Sequence, residues 1–131
     1  MDSYNKLKEE MLNKKVWAVV GVTSNQDKFG YKIYKKLKKH GYIVYGINPK
    51  YEEVDGDKIY KTIKDLPEKP DCVNMVVAPN IGIKMLKDIR DMGIEYIWFQ
   101  PGTFNEEVID TAEKYNFKMV YYDCVLVELG E

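Results

Sequence analysis

The chain reads as an α/β protein, a doubly wound parallel sheet in three layers with helices on both faces. Short apolar runs alternate with amphipathic stretches from Val16 to the C-terminal region, the order that parallel strands joined by helical crossovers produce. The runs are continuously apolar, as strands covered on both faces are. Each run also closes on turn-forming residues, among them Gly21, Asn48-Pro49, Ala78-Pro79 and Gln100-Pro101-Gly102.

Residues 3–12 form a short polar helix, and 16–20 a buried strand. A polar loop bounded by Gly21 and Gly30 leads into a helix over 31–40. Ile33, Tyr34 and Leu37 share one face of that helix and lysines the other. Gly41 stands just past its end. Residues 42–47 are the second strand. The Asp55-Gly56 turn precedes a short edge strand at 58–60, and 62–66 make one helical turn that Pro67 stops. A strand over 72–77, a helix over 81–92 with Gly93 past its end, and a strand over 96–99 follow. Asn105 is a natural N-cap for a helix over 105–115, and 118–122 is the last strand.

The 131 residues, 45% apolar, suit one domain over 1–131 with one core, its first part a helical segment over 1–15. Twenty basic and 21 acidic residues leave a net charge of −1. That balance creates no field for nucleic acid or an anionic membrane. No apolar run has the length of a membrane span, and the charged N-terminus lacks the core of a signal peptide, so a cytoplasmic location is expected. Cys72 and Cys124 fit a reducing compartment and form no metal-ligand spacing.

In open parallel sheets, ligands bind beyond the carboxyl ends of the strands, where strand order reverses. The segment from Gly21 to Lys28 is a strand–loop–helix junction of the kind that holds phosphate, because loop N–H groups and the helix dipole both favour an anion. A nicotinamide dinucleotide fits poorly. Gly21 and Gly30 stand nine positions apart, which is not G-x-G-x-x-G, and the second strand ends at Asn48 with no acid for the ribose hydroxyls. There is no acidic cluster of the response-regulator kind after Val20 and no GxxxxGK[ST] loop.

Several short motifs in fixed order narrow the reading: Val20-Gly21-Val22-Thr23-Ser24; Gly30-Tyr31, then Gly41-Tyr42; Asn48-Pro49-Lys50; Gly56 before Ile59-Tyr60; and Leu66-Pro67 before Asp71. Trp98-Phe99-Gln100-Pro101-Gly102, Asn105-Glu106-Glu107 and Asp123-Cys124 complete the set. Together they make the chain, from Val16 to Cys124, resemble the small stand-alone coenzyme A-binding proteins and the CoA-binding domain of succinyl-CoA and acyl-CoA synthetase subunits. The resemblance implies a Rossmann-like sheet of strand order 3-2-1-4-5-6 with CoA at its carboxyl edge. It implies that Gly21, Thr23, Ser24 and Asn25 hold the diphosphate, with Lys28 as a phosphate cation. Asn48, Pro49 and Lys50 would lie at the adenosine end, Val77, Ala78 and Pro79 would form an apolar wall, and Gln100 would sit beside the pocket. CoA carries a 3′-phosphate, which calls for a cation near the second strand tip, and Lys50 supplies one. Gln26-Asp27 departs from the family's pattern, and Asp27 has to turn away from a diphosphate.

Other residues have plain structural readings. Lys32, Lys35, Lys36, Lys38 and Lys39 form a solvated helix face, or a surface for an acidic partner. His40, the only histidine, suits a helix C-terminus. Cys124 lies past the last strand, either as a small apolar group or within reach of a mixed disulfide with the CoA thiol. Cys72 belongs to the opposite edge, and Trp98 and Phe99 to the core. Three functions stay open: a non-catalytic binder of CoA or acyl-CoA, a minimal NAD(P)-dependent oxidoreductase, and a CoA-sensing subunit that docks on a protein partner or a second copy.

Overall fold

The computed structural model describes residues 2–121 and 123–129. One sheet organises them. Strand β1 (Val16–Val20) is central, between β2 (Ile43–Ile47) and β5 (Cys72–Met75), and is parallel to both. Beyond β2 lie β4 (Asp57–Tyr60), parallel to it, and β3 (Glu53–Val54), antiparallel to β4. Beyond β5 lie β6 (Tyr96–Phe99) and β7 (Lys118–Val120), both parallel. The order is β3-β4-β2-β1-β5-β6-β7, which is the expected 3-2-1-4-5-6 with one strand added at an edge. The chain winds outward from β1 on one side, returns through β5, and winds outward on the other.

Alternate residues of each strand enter two separate cores. Trp17 and Val19 of β1, with Cys72 and Trp98, face α1 (Asp2–Leu12), α2 (Phe29–Lys39) and α6 (Val125–Leu129). Ala18 and Val20, with Val73, Ile97 and Phe99, face α4 (Leu86–Asp91) and α5 (Glu106–Lys114). Leu37 and Ile89 are fully buried on opposite sides. Each such side chain contributes about 2 kcal/mol of burial free energy. Ridges of this kind, not helix propensity, hold the lysine-rich α2 in place. Its polar face is partly tied down as well: Tyr34 and Lys38 both donate to Asp57, and Tyr31 and Lys35 to Asp55.

The elements differ from expectation mainly at their ends. Helix α2 starts at Phe29, two residues early, because Lys28 is extended and the chain turns helical immediately after it. Strand β2 starts at Ile43, while the Tyr42 hydroxyl donates to the Leu12 carbonyl. Strand β5 ends at Met75, before Val76 and Val77. The following helix begins early as well: α3 (Pro79–Gly82) runs through a 3-10 turn at Ile83–Met85 into α4. Pro79 occupies the first helical position, where its fixed φ suits the turn. Asp55 and Gly56, with φ of 53° and 84°, form a two-residue turn that pairs β4 with the unanticipated β3. Strand β7 is shorter than expected, and Tyr122 lies outside the described residues. Helix α6, also unanticipated, is tied to α1 by Lys8, which bridges Asp123 (2.8 Å) and Glu128 (2.9 Å). Among the described residues, no helix is long and apolar enough to cross a membrane.

Candidate binding cleft at the carboxyl edge

The register brings the carboxyl ends of three strands level. Val20 pairs with Ile47 on one side and with Met75 on the other, so Gly21, Asn48 and Val76 leave the sheet together where strand order reverses. Gly21 leaves β1 with φ of +106°, and its N–H donates to the Ile47 carbonyl at 2.8 Å. A Cβ there would lie 3.0 Å from the Val76 carbonyl oxygen. At Gly30, in the first turn of α2, a Cβ would lie 2.1 Å from the Gly21 carbonyl oxygen. Only a bare backbone lets the helix start so close to the strand exit. No side chain caps that helix start, and its first turn holds no acid. The backbone N–H groups and the positive end of the dipole are therefore left for an external acceptor.

The loop is held by its own side chains. The Thr23 hydroxyl accepts the Asn25 N–H (3.2 Å), and Asn25 Oδ1 accepts the Asp27 N–H (3.0 Å). Asn48 donates from Nδ2 to the Val22 carbonyl (2.9 Å) and accepts the Lys50 N–H at Oδ1 (2.9 Å). Asn48 is thus a clamp between two loops, one N–H and its carbonyl oxygen bound to backbone. Thr23 Oγ1 also lies 2.8 Å from the Tyr51 hydroxyl. The Thr23 and Ser24 hydroxyls, against a smaller opposing effect of burial, pull the Tyr51 phenol below its ordinary pKa, and the Ser24 N–H and Lys50 add to this.

Two cavities meet at Gly21 and Val77. One, about 460 Å³, is bounded by Thr23, Lys28, Ala78 and Gly30. The other, about 180 Å³, lies between Asn48-Pro49-Lys50 and Ile81. Of the residues singled out in the sequence, Gly21, Thr23, Lys28, Asn48, Pro49, Lys50, Val77 and Ala78 line one or both. Ser24 and Asn25 are exposed on the loop, and Asp27 is exposed beside them. Pro79, Gln100 and Cys124 line neither cavity. Gln100 is buried: its Nε2 donates to Asn74 Oδ1 and its Oε1 accepts the Val125 N–H at 3.1 Å. It serves to dock α6 on the sheet. Cys124, half-buried, directly precedes that anchored residue. Cys72 is buried, which pushes its thiol well above the ordinary range. A larger cavity of about 590 Å³, over the β3–β4 hairpin, shares no lining residue with these two. Among the described residues, no group of three or more His, Cys, Asp or Glu is placed to hold a metal.

Sequence reasoning named Gly30 as a loop boundary and a motif residue but not as a site residue, and gave Phe29 and Tyr51 no role. Gly30 carried a signal, since a glycine in the first turn of a helix following a strand marks close packing of the two. Phe29 is 54% exposed beside the loop, and only its place in the fold makes it notable.

A parallel sheet whose winding reverses between β1 and β5, with a glycine-built exit at that point, defines a Rossmann-like α/β domain. The chain belongs to the family described as CoA binding domain, whose model matches residues 15–130. The alpha subunit of the ADP-forming acetate–CoA ligase II of Pyrococcus furiosus is 29% identical over 119 residues, covering 82% of this chain and 26% of the subunit. A structurally determined hypothetical protein from Pyrococcus horikoshii OT3 superposes with a TM-score of 0.88 at 31% identity, over 95% of this chain and 88% of that one. The Bacillus subtilis protein YneT is 23% identical, over 92% of this chain and 90% of its own length. The chain spans only 16–28% of four ADP-forming acetate–CoA ligases and ligase subunits that it matches.

Proposed function

We propose that the protein binds coenzyme A or an acyl-CoA at this cleft without chemically altering it. The observation that carries the reading is the uncapped α2 start, packed on Gly21 and opening into a cavity that also holds Lys28. Backbone N–H groups, a helix dipole and an ammonium converging on one space suit a diphosphate. Family membership supports CoA as the molecule that carries it. Lys50 faces the smaller cavity and serves the 3′-phosphate, while Val77 and Ala78 give an apolar surface to the pantetheine arm. Asn48, where a dinucleotide site keeps an acid, is committed to backbone. His40 stands at the far end of α2, away from the cleft, which supports a reading without a catalytic histidine.

Calorimetric titration with CoA, acetyl-CoA, NAD and NADP tests this. CoA and acetyl-CoA should bind and the nicotinamide dinucleotides should not. Lys50→Ala should weaken CoA more than dephospho-CoA. Binding of NAD alone would end the reading.

A further inference from the structure

The geometry points to Tyr51 as a further ligand-binding residue, its hydroxyl donating to the diphosphate held by the loop. This inference rests on the CoA reading above and adds a contact to it.

Four residues form a closed circuit on the boundary between the cleft, which Thr23 and Asn48 line, and the neighbouring larger cavity, which Tyr51 lines. Asn48 Nδ2 donates to the Val22 carbonyl, the Tyr51 N–H donates to the Asn48 carbonyl at 3.3 Å, and the Tyr51 hydroxyl meets the Thr23 hydroxyl, one residue after Val22. The ring of Tyr51 packs against the core on the α2 side. The phenol is therefore fixed relative to the loop by its own backbone turn, its ring packing and one side-chain bond. A flexible surface tyrosine has none of these, and preorganisation lowers the entropic cost of a contact.

The proton inventory gives the phenol its direction. Thr23 Oγ1 already accepts the Asn25 N–H and has one proton to give. Given to Tyr51, it leaves the tyrosine proton free for an acceptor other than Thr23. A hydroxyl that accepts a hydrogen bond becomes a better donor. The Ser24 hydroxyl and N–H act on the same oxygen in the same sense. Thr23 then works partly through Tyr51, and Tyr51 makes the outward contact. A phosphate oxygen is the acceptor that rewards such a donor most. The neighbouring lysine, Lys50, favours the same negative charge.

The test is titration of Tyr51→Phe with CoA and with dephospho-CoA, alongside the wild type and a melting curve. Loss of one hydrogen bond to a charged acceptor should raise the Kd about tenfold. The loss should be equal for the two ligands, because both carry the diphosphate, whereas Lys50→Ala separates them. Thr23→Ala should weaken binding, and adding it to Tyr51→Phe should cost less than it does alone. Unchanged or tighter binding by Tyr51→Phe, in a protein whose wild type binds CoA, overturns the inference and leaves the CoA reading standing. Tighter binding would mean that the phenol occupies donors the ligand needs. A loss confined to CoA would place the contact on the 3′-phosphate and likewise overturn it. Should Tyr51→Phe not fold, the Thr23→Ala comparison decides alone: no effect on either ligand overturns the inference. A wild type that binds no CoA overturns both.

Discussion

Helices α2 and α5 both follow parallel strands and both start at the carboxyl edge of the sheet, yet their first turns are built in opposite ways. At α5, Asn105 Oδ1 accepts the Val108 N–H at 2.9 Å, and Glu106 and Glu107 sit in the first turn. Cap and charge together satisfy that helix start from within. At α2 the cap position is Lys28, no side chain accepts from the helix, and the first turn holds no acid. A cap is worth about 1 kcal/mol, and α2 forgoes it. The two differ in location: α2 follows the central strand, at the reversal of winding, and α5 follows β6, two strands away. The helix start is satisfied by its own side chains at α5, and at α2 it is left open at the place where the proposed diphosphate would complete it.

The largest expected effect comes from Gly30→Ala. Its methyl group would fall on the Gly21 carbonyl, so strand exit and helix start must part. Urea unfolding should show a loss of about 3 kcal/mol, the upper range for overpacking, together with loss of CoA binding. A loss under about 1 kcal/mol would mean that the close approach is not needed. Next comes Lys28→Asp, which gives α2 the kind of start that α5 has. It should stabilise the fold by about 1 kcal/mol and reduce CoA affinity at least tenfold. A variant that is more stable and binds as before would sever the link between the vacant cap and the ligand. The converse change, Asn105→Ala, should cost about 1 kcal/mol and leave the titration curve where it was.

The smallest effect concerns how α2 is held without a cap. The Lys38 ammonium, with help from the Tyr34 hydroxyl and against a partial cost of burial, keeps the Asp57 carboxyl below its usual value. A carboxylate depressed in the folded state stabilises the fold above its unfolded pKa, near 4, and loses that contribution as pH falls through the folded value. The pair is a third exposed, so the contribution is modest. Asp57→Asn should give a slightly flatter stability profile between about pH 5 and about pH 3 than the wild type. An identical profile would mean that the Asp57 pair does not help to anchor α2.

How much of this was readable in the chain follows from what each feature depends on. Strands β1, β2, β5 and β6 announce themselves as apolar runs, and their order follows from right-handed crossovers. Strand β3 does not: two residues have no periodicity, and only pairing across Asp55-Gly56 makes Glu53 and Val54 a strand. Helix α6 is equally silent, because the Gln100 amide and the buried Val125 hold it, both of them tertiary contacts. The cleft was legible as a set of loops, since loops after parallel strands converge. Which residues work inside it was less so. Asn48 reads as a polar residue near a ligand and turns out to hold Val22. Gln100 reads as a pocket residue and lies in the core. Tyr51 looks like one more aromatic until the Asn48 turn brings it over Thr23. In each case the deciding contact joins residues about 25 or more positions apart, beyond the reach of local pattern.

The central placement of β1 has a mechanical consequence. The sheet grows from it in two directions, through β2 and β4 to one edge and through β5, β6 and β7 to the other. The cavities beside Gly21 touch both halves, Asn48 from one and Val77 from the other. A molecule seated there is a cross-brace between the two wings of the sheet. Amide hydrogen exchange in both wings should therefore slow together on saturation, because an opening of either one has to expel the brace first.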